Sequence, residues 1–196
     1  RFQPDAGDID IDASLDALNE LRTLGSFDAD ELRVRGWIKP GTAISVVVDR
    51  SGSMGGKPLA TSAMAAAAVA AREPNDYSVL VFGNDVVVAK SQNTHRSSDE
   101  VVNTVLSLRG FGTTDLAQAL QTAHQQLQRS RASRRITVLL SDCRATVEGD
   151  AVAAAMSLDE LVVIAPFNDD AEAKTFAETV GARFTTVSGP SDVPDA

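Results

Sequence analysis

Two apolar patterns alternate along most of this chain. Short runs at Ala43–Val48, Ile136–Leu140 and Leu161–Ala165 are dominated by Val, Ile and Leu, as expected of strands buried on both faces. Between and after them lie helix-forming stretches at Lys57–Arg72, Ser98–Leu108, Asp115–Gln128, Asp150–Met156 and Asp169–Val180. Ser97 or Ser98 can open the second of these with Glu100 in its first turn, and Gly181 can close the last. Val86–Ala89 follows Tyr77–Phe82 across the turn Gly83-Asn84-Asp85, which predicts a hairpin. Arg183–Val187 reads as a final strand. Together these predict an α/β, Rossmann-like doubly wound sheet, mostly parallel with one antiparallel edge strand and helices on both faces.

The first 40 residues follow a different rhythm. Leu15, Leu18, Leu21 and Leu24 fall roughly on one helical face, Asp12 or Ser14 can cap it, and Gly25 can end it. The Leu face is expected to pack within the chain. Leu32-Arg33-Val34-Arg35 alternates as a half-exposed strand does, and Pro40-Gly41 punctuates the chain. Trp37 is expected to pack this segment onto the rest. The expected organisation is therefore an acidic segment over residues 1–40, leading into or packing on a domain over 41–196. The ending Ser191-Asp192-Val193-Pro194-Asp195-Ala196 looks like the start of a helix that is cut short, and a first residue of Arg is expected of a fragment.

Composition narrows the partners. A net charge of -9 from 18 basic and 27 acidic residues disfavours a nucleic-acid backbone. The longest apolar run, at 63–71, is mostly Ala and too short to cross a bilayer. The single Cys143 leaves no internal disulfide and fits a reducing, cytoplasmic compartment. Arg129, Arg131, Arg134 and Arg135 form the densest basic cluster. It suits a helix C-terminus, or alternatively a patch for an acidic partner.

Ligands of open α/β sheets bind beyond the carboxyl ends of the strands, where strand order reverses. Three segments are candidates there: Asp49-Arg50-Ser51-Gly52-Ser53-Met54, Gly110-Phe111-Gly112-Thr113-Thr114-Asp115-Leu116, and Ser141-Asp142-Cys143. Asp49, Ser51 and Ser53 alternate through a tight loop, and Thr114 and Asp142 can join them. Two carboxylates and three hydroxyls suit a hard cation, with Mg²⁺ first and Mn²⁺ or Ca²⁺ as substitutes.

Asp-x-Ser-x-Ser after an apolar strand, then Gly-x-Thr-Asp-Leu, then apolar-Ser-Asp, in order over residues 42–188, resembles the von Willebrand factor A (VWA) domain with its metal-ion-dependent adhesion site (MIDAS). The resemblance implies metal-site roles for Asp49, Ser51, Ser53, Thr114 and Asp142, with one position open to a partner's Asp or Glu. Thr113 is an alternative to Thr114, and Cys143 stands where Gly is common. The wording of the motifs is most similar to bacterial intracellular members such as magnesium-chelatase D subunits and proteins that work with MoxR-type AAA+ ATPases. That similarity implies an AAA+ ATPase or its client as partner, in a chaperone or metal-insertion system.

The remaining motifs carry less. Ser51–Lys57 lacks the first glycine of a phosphate-binding loop and has Pro58 where Ser or Thr is needed. Gly110-Phe111-Gly112 lacks the third glycine of a dinucleotide fingerprint. Cys143 has no evident base, since His95 and His124 lie elsewhere. No general acid or base stands beside the motifs, so a metal-dependent hydrolase and a structural domain with a vestigial site are the lesser readings. The expectation is a non-enzymatic interaction module.

Overall fold

The computed structural model describes residues 8–25, 33–35, 41–51, 61, 64–65, 68, 76–108, 113–147 and 149–189. The chain divides into two compact units, Arg1–Lys39 and Pro40–Ala196.

In the first unit, β1 (Asp8–Ile9) pairs antiparallel with β2 (Val34–Arg35). A 3-10 turn at Asp12–Ser14 leads into α1 (Leu15–Leu24), which ends on Gly25 in the left-handed region, φ 71°. Ser14 occupies the N-cap position without a side-chain cap. Its hydroxyl instead accepts from the Arg33 amide at 2.9 Å, which ties the helix start to the strand. Contrary to the expected packing, Leu15, Leu21 and Leu24 are exposed. Trp37 lies outside the described residues.

The second unit is a six-stranded sheet. Its strands are β3 (Thr42–Asp49), β4 (Tyr77–Phe82), β5 (Val86–Lys90), β6 (Arg134–Leu140), β7 (Glu160–Pro166) and β8 (Arg183–Val187), in the order β5-β4-β3-β6-β7-β8. All neighbours are parallel except β4 and β5, which form the expected hairpin at one edge. The helices are α2 (Ser98–Ser107), α3 (Leu116–Leu127), α4 (Ala151–Met156) and α5 (Ala171–Val180). Of the stretch expected to be helical at 57–72, the described Thr61, Met64, Ala65 and Ala68 are helical.

Alternation along the strands builds two cores. Val46, Val48, Val79, Val81 and Leu140 face one way and pack with Ala65 and with Val101 and Val105 of α2. Val47, Leu80, Phe82 and Leu139 face the other way, onto Leu116, Leu120 and Ala123 of α3 and the small side chains of α4 and α5. A strand flanked on both sides has no solvent face, so even its few hydroxyls, Ser45, Ser78 and Thr137, are buried, and Ser78 donates to Ser45 at 3.0 Å. Capping sets the helix starts. Ser97 and Glu100 form a reciprocal capping box on α2, and Asp115 and Asp150 accept from Gln118 and Ala153 amides at 2.9 and 2.8 Å. Gly181 ends α5 in the left-handed region at φ 68°.

The basic cluster is not one helix-end feature. Arg134 and Arg135 belong to β6: Arg134 makes a bidentate pair with Glu160 at 2.7 and 2.8 Å, and Arg135 faces Asp159 at 3.8 Å. Arg129 follows α3 and donates to Ser91 Oγ at 2.9 Å. No helix among the described residues is long and apolar enough to cross a membrane.

Candidate metal centre

The chain leaves β3 toward β4 and β5 on one side and returns to β6 on the other, so strand order reverses between β3 and β6. Val48 pairs with Leu140 across that boundary. Asp49 and Ser141 therefore emerge side by side, with Asp142 one residue further. Asp49, Ser141 and Asp142 are at most 1% exposed.

Asp49 is held at both oxygens. Oδ1 accepts from the Ser51 amide at 2.7 Å, and Oδ2 accepts from Ser141 Oγ at 2.6 Å. Ser141 Oγ in turn accepts from the Cys143 amide at 2.8 Å, and Asp142 Oδ1 accepts from the Arg144 amide at 3.1 Å. Burial pushes the Asp49 carboxyl above its ordinary value. Hydrogen bonds from Ser141 and Ser51 oppose that rise, while the nearby Asp142 charge adds to it. Two neighbouring carboxylates are thus packed into a low-dielectric pocket at a strand end, an arrangement a bound cation would relieve.

Thr114 reaches the same end from the loop before α3. It is buried at 2% exposure, whereas Thr113 is exposed and donates its hydroxyl to Asn84 Oδ1 at 2.7 Å. The Thr114 amide donates to Thr146 Oγ1 at 2.7 Å, and its carbonyl accepts from the Thr146 and Val147 amides at 3.1 and 3.3 Å. The Asp115 amide donates to the Gly83 carbonyl at 2.9 Å. A Cβ on Gly83 would come within 3.3 Å of the Arg50 side chain, so the missing side chain permits the close passage of hairpin and Asp49 loop. Arg50 pairs with Asp85, and Arg144 with Asp169 and Glu172.

Of the five residues singled out in the sequence, Asp49 ends β3, and Ser51, Thr114 and Asp142 lie on loops at this strand end. Ser53 and the glycines Gly110 and Gly112 lie outside the described residues. Two participants were not anticipated as such. Ser141 is a hydrogen-bonding partner of Asp49, and Thr146 anchors the Thr114 backbone; neither role carries a signal in linear sequence.

Cys143 occupies the left-handed region, φ 59°, a conformation that favours glycine. Burial pushes its thiol up to about 12, with the Asp49 and Asp142 charges adding and the Ser141 hydrogen bond opposing. It is therefore a neutral thiol, neither a nucleophile nor a thiolate ligand. His95 is exposed, and His124 faces Gln128 at 3.3 Å. Among the described residues no three His, Cys, Asp or Glu side chains cluster. The donors here are mainly hydroxyls beside two carboxylates, which suits a hard divalent cation.

Residues 44–145, just over half of the chain, match the von Willebrand factor type A domain. No curated protein matches the chain. Similar solved structures include a von Willebrand factor type A protein from Catenulispora acidiphila, at 14% identity and TM-score 0.66, with 84% of this chain and 42% of that one covered. An aerotolerance-related membrane protein from Bacteroides fragilis is 16% identical at TM-score 0.61, covering 79% of this chain and 96% of that one. Proximal thread matrix protein 1 from the mussel byssus, with a zinc-occupied MIDAS motif, is 16% identical at TM-score 0.59, covering 79% and 45%. The chain spans less than half the length of the first two solved structures it matches. At these identities the likeness speaks for the fold alone.

Proposed function

The chain belongs to the von Willebrand factor type A domain family, and from that premise we propose that it is a divalent-metal-dependent protein-interaction module that grips a carboxylate of its partner. Domains of this family generally serve as interaction modules rather than enzymes, and they can bind a divalent metal at a MIDAS. The observation that carries the reading is the pair of buried aspartates, Asp49 and Asp142, at the sheet's switch point, where burial, and after it the Asp142 charge, raise the proton affinity of Asp49.

Asp49, Ser51, Ser53, Thr114 and Asp142 would hold the ion, Mg²⁺ in our reading. The zinc-occupied MIDAS motif of the mussel protein supports a divalent cation as the ligand. Asp49 and Asp142 supply the negative charge, and Ser141 fixes the rotamer of Asp49 by occupying Oδ2. Ser51, Ser53 and Thr114 supply neutral oxygens, which leaves the site short of full charge compensation. Bound there, Mg²⁺ would supply an electropositive centre that an Asp or Glu of a partner satisfies better than water does. A change in Thr114 ligation would alter that affinity. An AAA+ ATPase of the MoxR type or its client is the partner implied by the motif wording.

A hydrolase reading has no comparable support: the Cys143 thiol is held protonated, and His124 is engaged with Gln128 at the end of its own helix. The test is the relaxation of solvent water by Mn²⁺-loaded protein titrated with acetate. A fall in relaxivity that is lost in Asp142→Ala supports carboxylate capture at the ion. Unchanged relaxivity at saturating acetate would remove the partner-gripping role.

A further inference from the structure

Three consecutive residues before α3 are tied to two different loops. Thr113 and Asp115 bond to the β4–β5 turn, through Asn84 Oδ1 at 2.7 Å and the Gly83 carbonyl at 2.9 Å. Thr114, between them, bonds instead to the loop that follows Asp142. Its amide donates to Thr146 Oγ1 at 2.7 Å, and its carbonyl accepts from the Thr146 and Val147 amides at 3.1 and 3.3 Å. Thr146 is exposed while Thr114 is buried, so a surface side chain supplies the acceptor for an inward-facing backbone group.

We infer that Thr146 is a positioning residue for the metal site: its hydroxyl oxygen locks the Thr114 peptide to the Asp142 loop, so that oxygen donors from two separate loops are presented as one unit. This rests on the metal-site reading above. The physical argument is preorganisation. The Thr114 amide is the last donor before the helix cap, and with Asp115 already committed to Gly83, no ladder or helix bond is open to it. Removing its acceptor leaves a buried donor unmet, and the peptide is then free to rotate away from the Asp142 loop. A threonine serves because its oxygen sits on Cβ, close enough to reach a neighbouring backbone amide, and its methyl restricts χ1. Serine keeps the oxygen; valine keeps the shape and loses it.

The test is calorimetric titration of Mg²⁺ into the full chain and its Thr146→Val, Thr146→Ala and Thr146→Ser variants, each first checked for a cooperative melt. Thr146→Val and Thr146→Ala are expected to bind Mg²⁺ about tenfold more weakly, the scale of one unmet hydrogen bond, and Thr146→Ser to bind within about twofold of the parent. Parent-like affinity in both Thr146→Val and Thr146→Ala would overturn the inference while leaving the metal site standing, as would a serine variant as weak as valine. A parent chain that takes up no Mg²⁺ would instead sink the metal-site reading, and this inference with it.

Discussion

Ser141 Oγ donates to Asp49 Oδ2 at 2.6 Å across the boundary between β3 and β6. The two residues are 92 positions apart in the chain, and strand register alone brings them together: Val48 opposite Leu140 places them at the same sheet edge. Ser141 thus restrains a fully buried site carboxylate. Ser141→Ala is expected to lower stability by about 1–3 kcal/mol, because a buried charged acceptor loses its donor. Urea unfolding measures it, and Mg²⁺ affinity should fall in the same variant.

The metal-free protein should also respond to pH through Asp49. Its folded carboxyl titrates above the ordinary value of 3.8, so at pH between the two values the native state holds a proton that the unfolded chain has released. That contribution is fully present below the unfolded value and is lost as pH rises through the folded one. Ionised Asp49 is consequently a liability at neutral pH, and a cation offsets it. The Mg²⁺-induced rise in melting temperature should be largest near neutrality and shrink as pH falls toward 3.8. Differential scanning calorimetry across that range checks it; a rise that grows on acidification contradicts it.

Cys143 should be chemically quiet. With its thiol near 12, reaction with Ellman's reagent at neutral pH is expected to be slow in the folded protein and fast after denaturation. Cys143→Gly removes a side chain from the left-handed region at φ 59° and should alter stability by less than about 1 kcal/mol, relief of backbone strain offsetting lost packing.

The loop carrying Asp142 and Thr146 is pressed against α3 at Gly149. A Cβ there would lie 2.9 Å from Ala117 Cβ, a methyl on the helix that cannot swing aside. Gly149→Ala should cost about 1–3 kcal/mol by overpacking. In a domain of this size each kcal/mol is worth roughly 2–4 °C in melting temperature.

The sheet was legible in the sequence because Val46, Val47 and Val48 admit no exposed face, and the helices because residues such as Ser97, Asp115 and Gly181 mark their ends. Asp49 and Asp142 stood out because they stand at the end of β3 and just past the end of β6. What stayed hidden depends on pairing between distant segments. The roles of Ser141 and Thr146 follow from strand register and loop contact. Arg134 and Arg135 looked like a helix-end cluster, yet strand pairing of Ile136 with Glu160 brings the β6 and β7 ends together so that carboxylates meet the arginines. Lys90, the last residue of β5, has no motif around it to mark it as buried. It is 2% exposed, because the Tyr77 carbonyl accepts from Nζ at 2.5 Å and the Tyr77 ring lies 3.8 Å away.

The central claim is that Asp49 belongs to a divalent-cation site. Its most direct test is thermal melting of the chelator-stripped chain and an Asp49→Ala variant, each with and without Mg²⁺. A ligand at about 100 times its dissociation constant adds ~2.7 kcal/mol, so the parent should rise by several degrees and the variant not at all. An equal rise in both, or none in either at saturating Mg²⁺, would contradict the account.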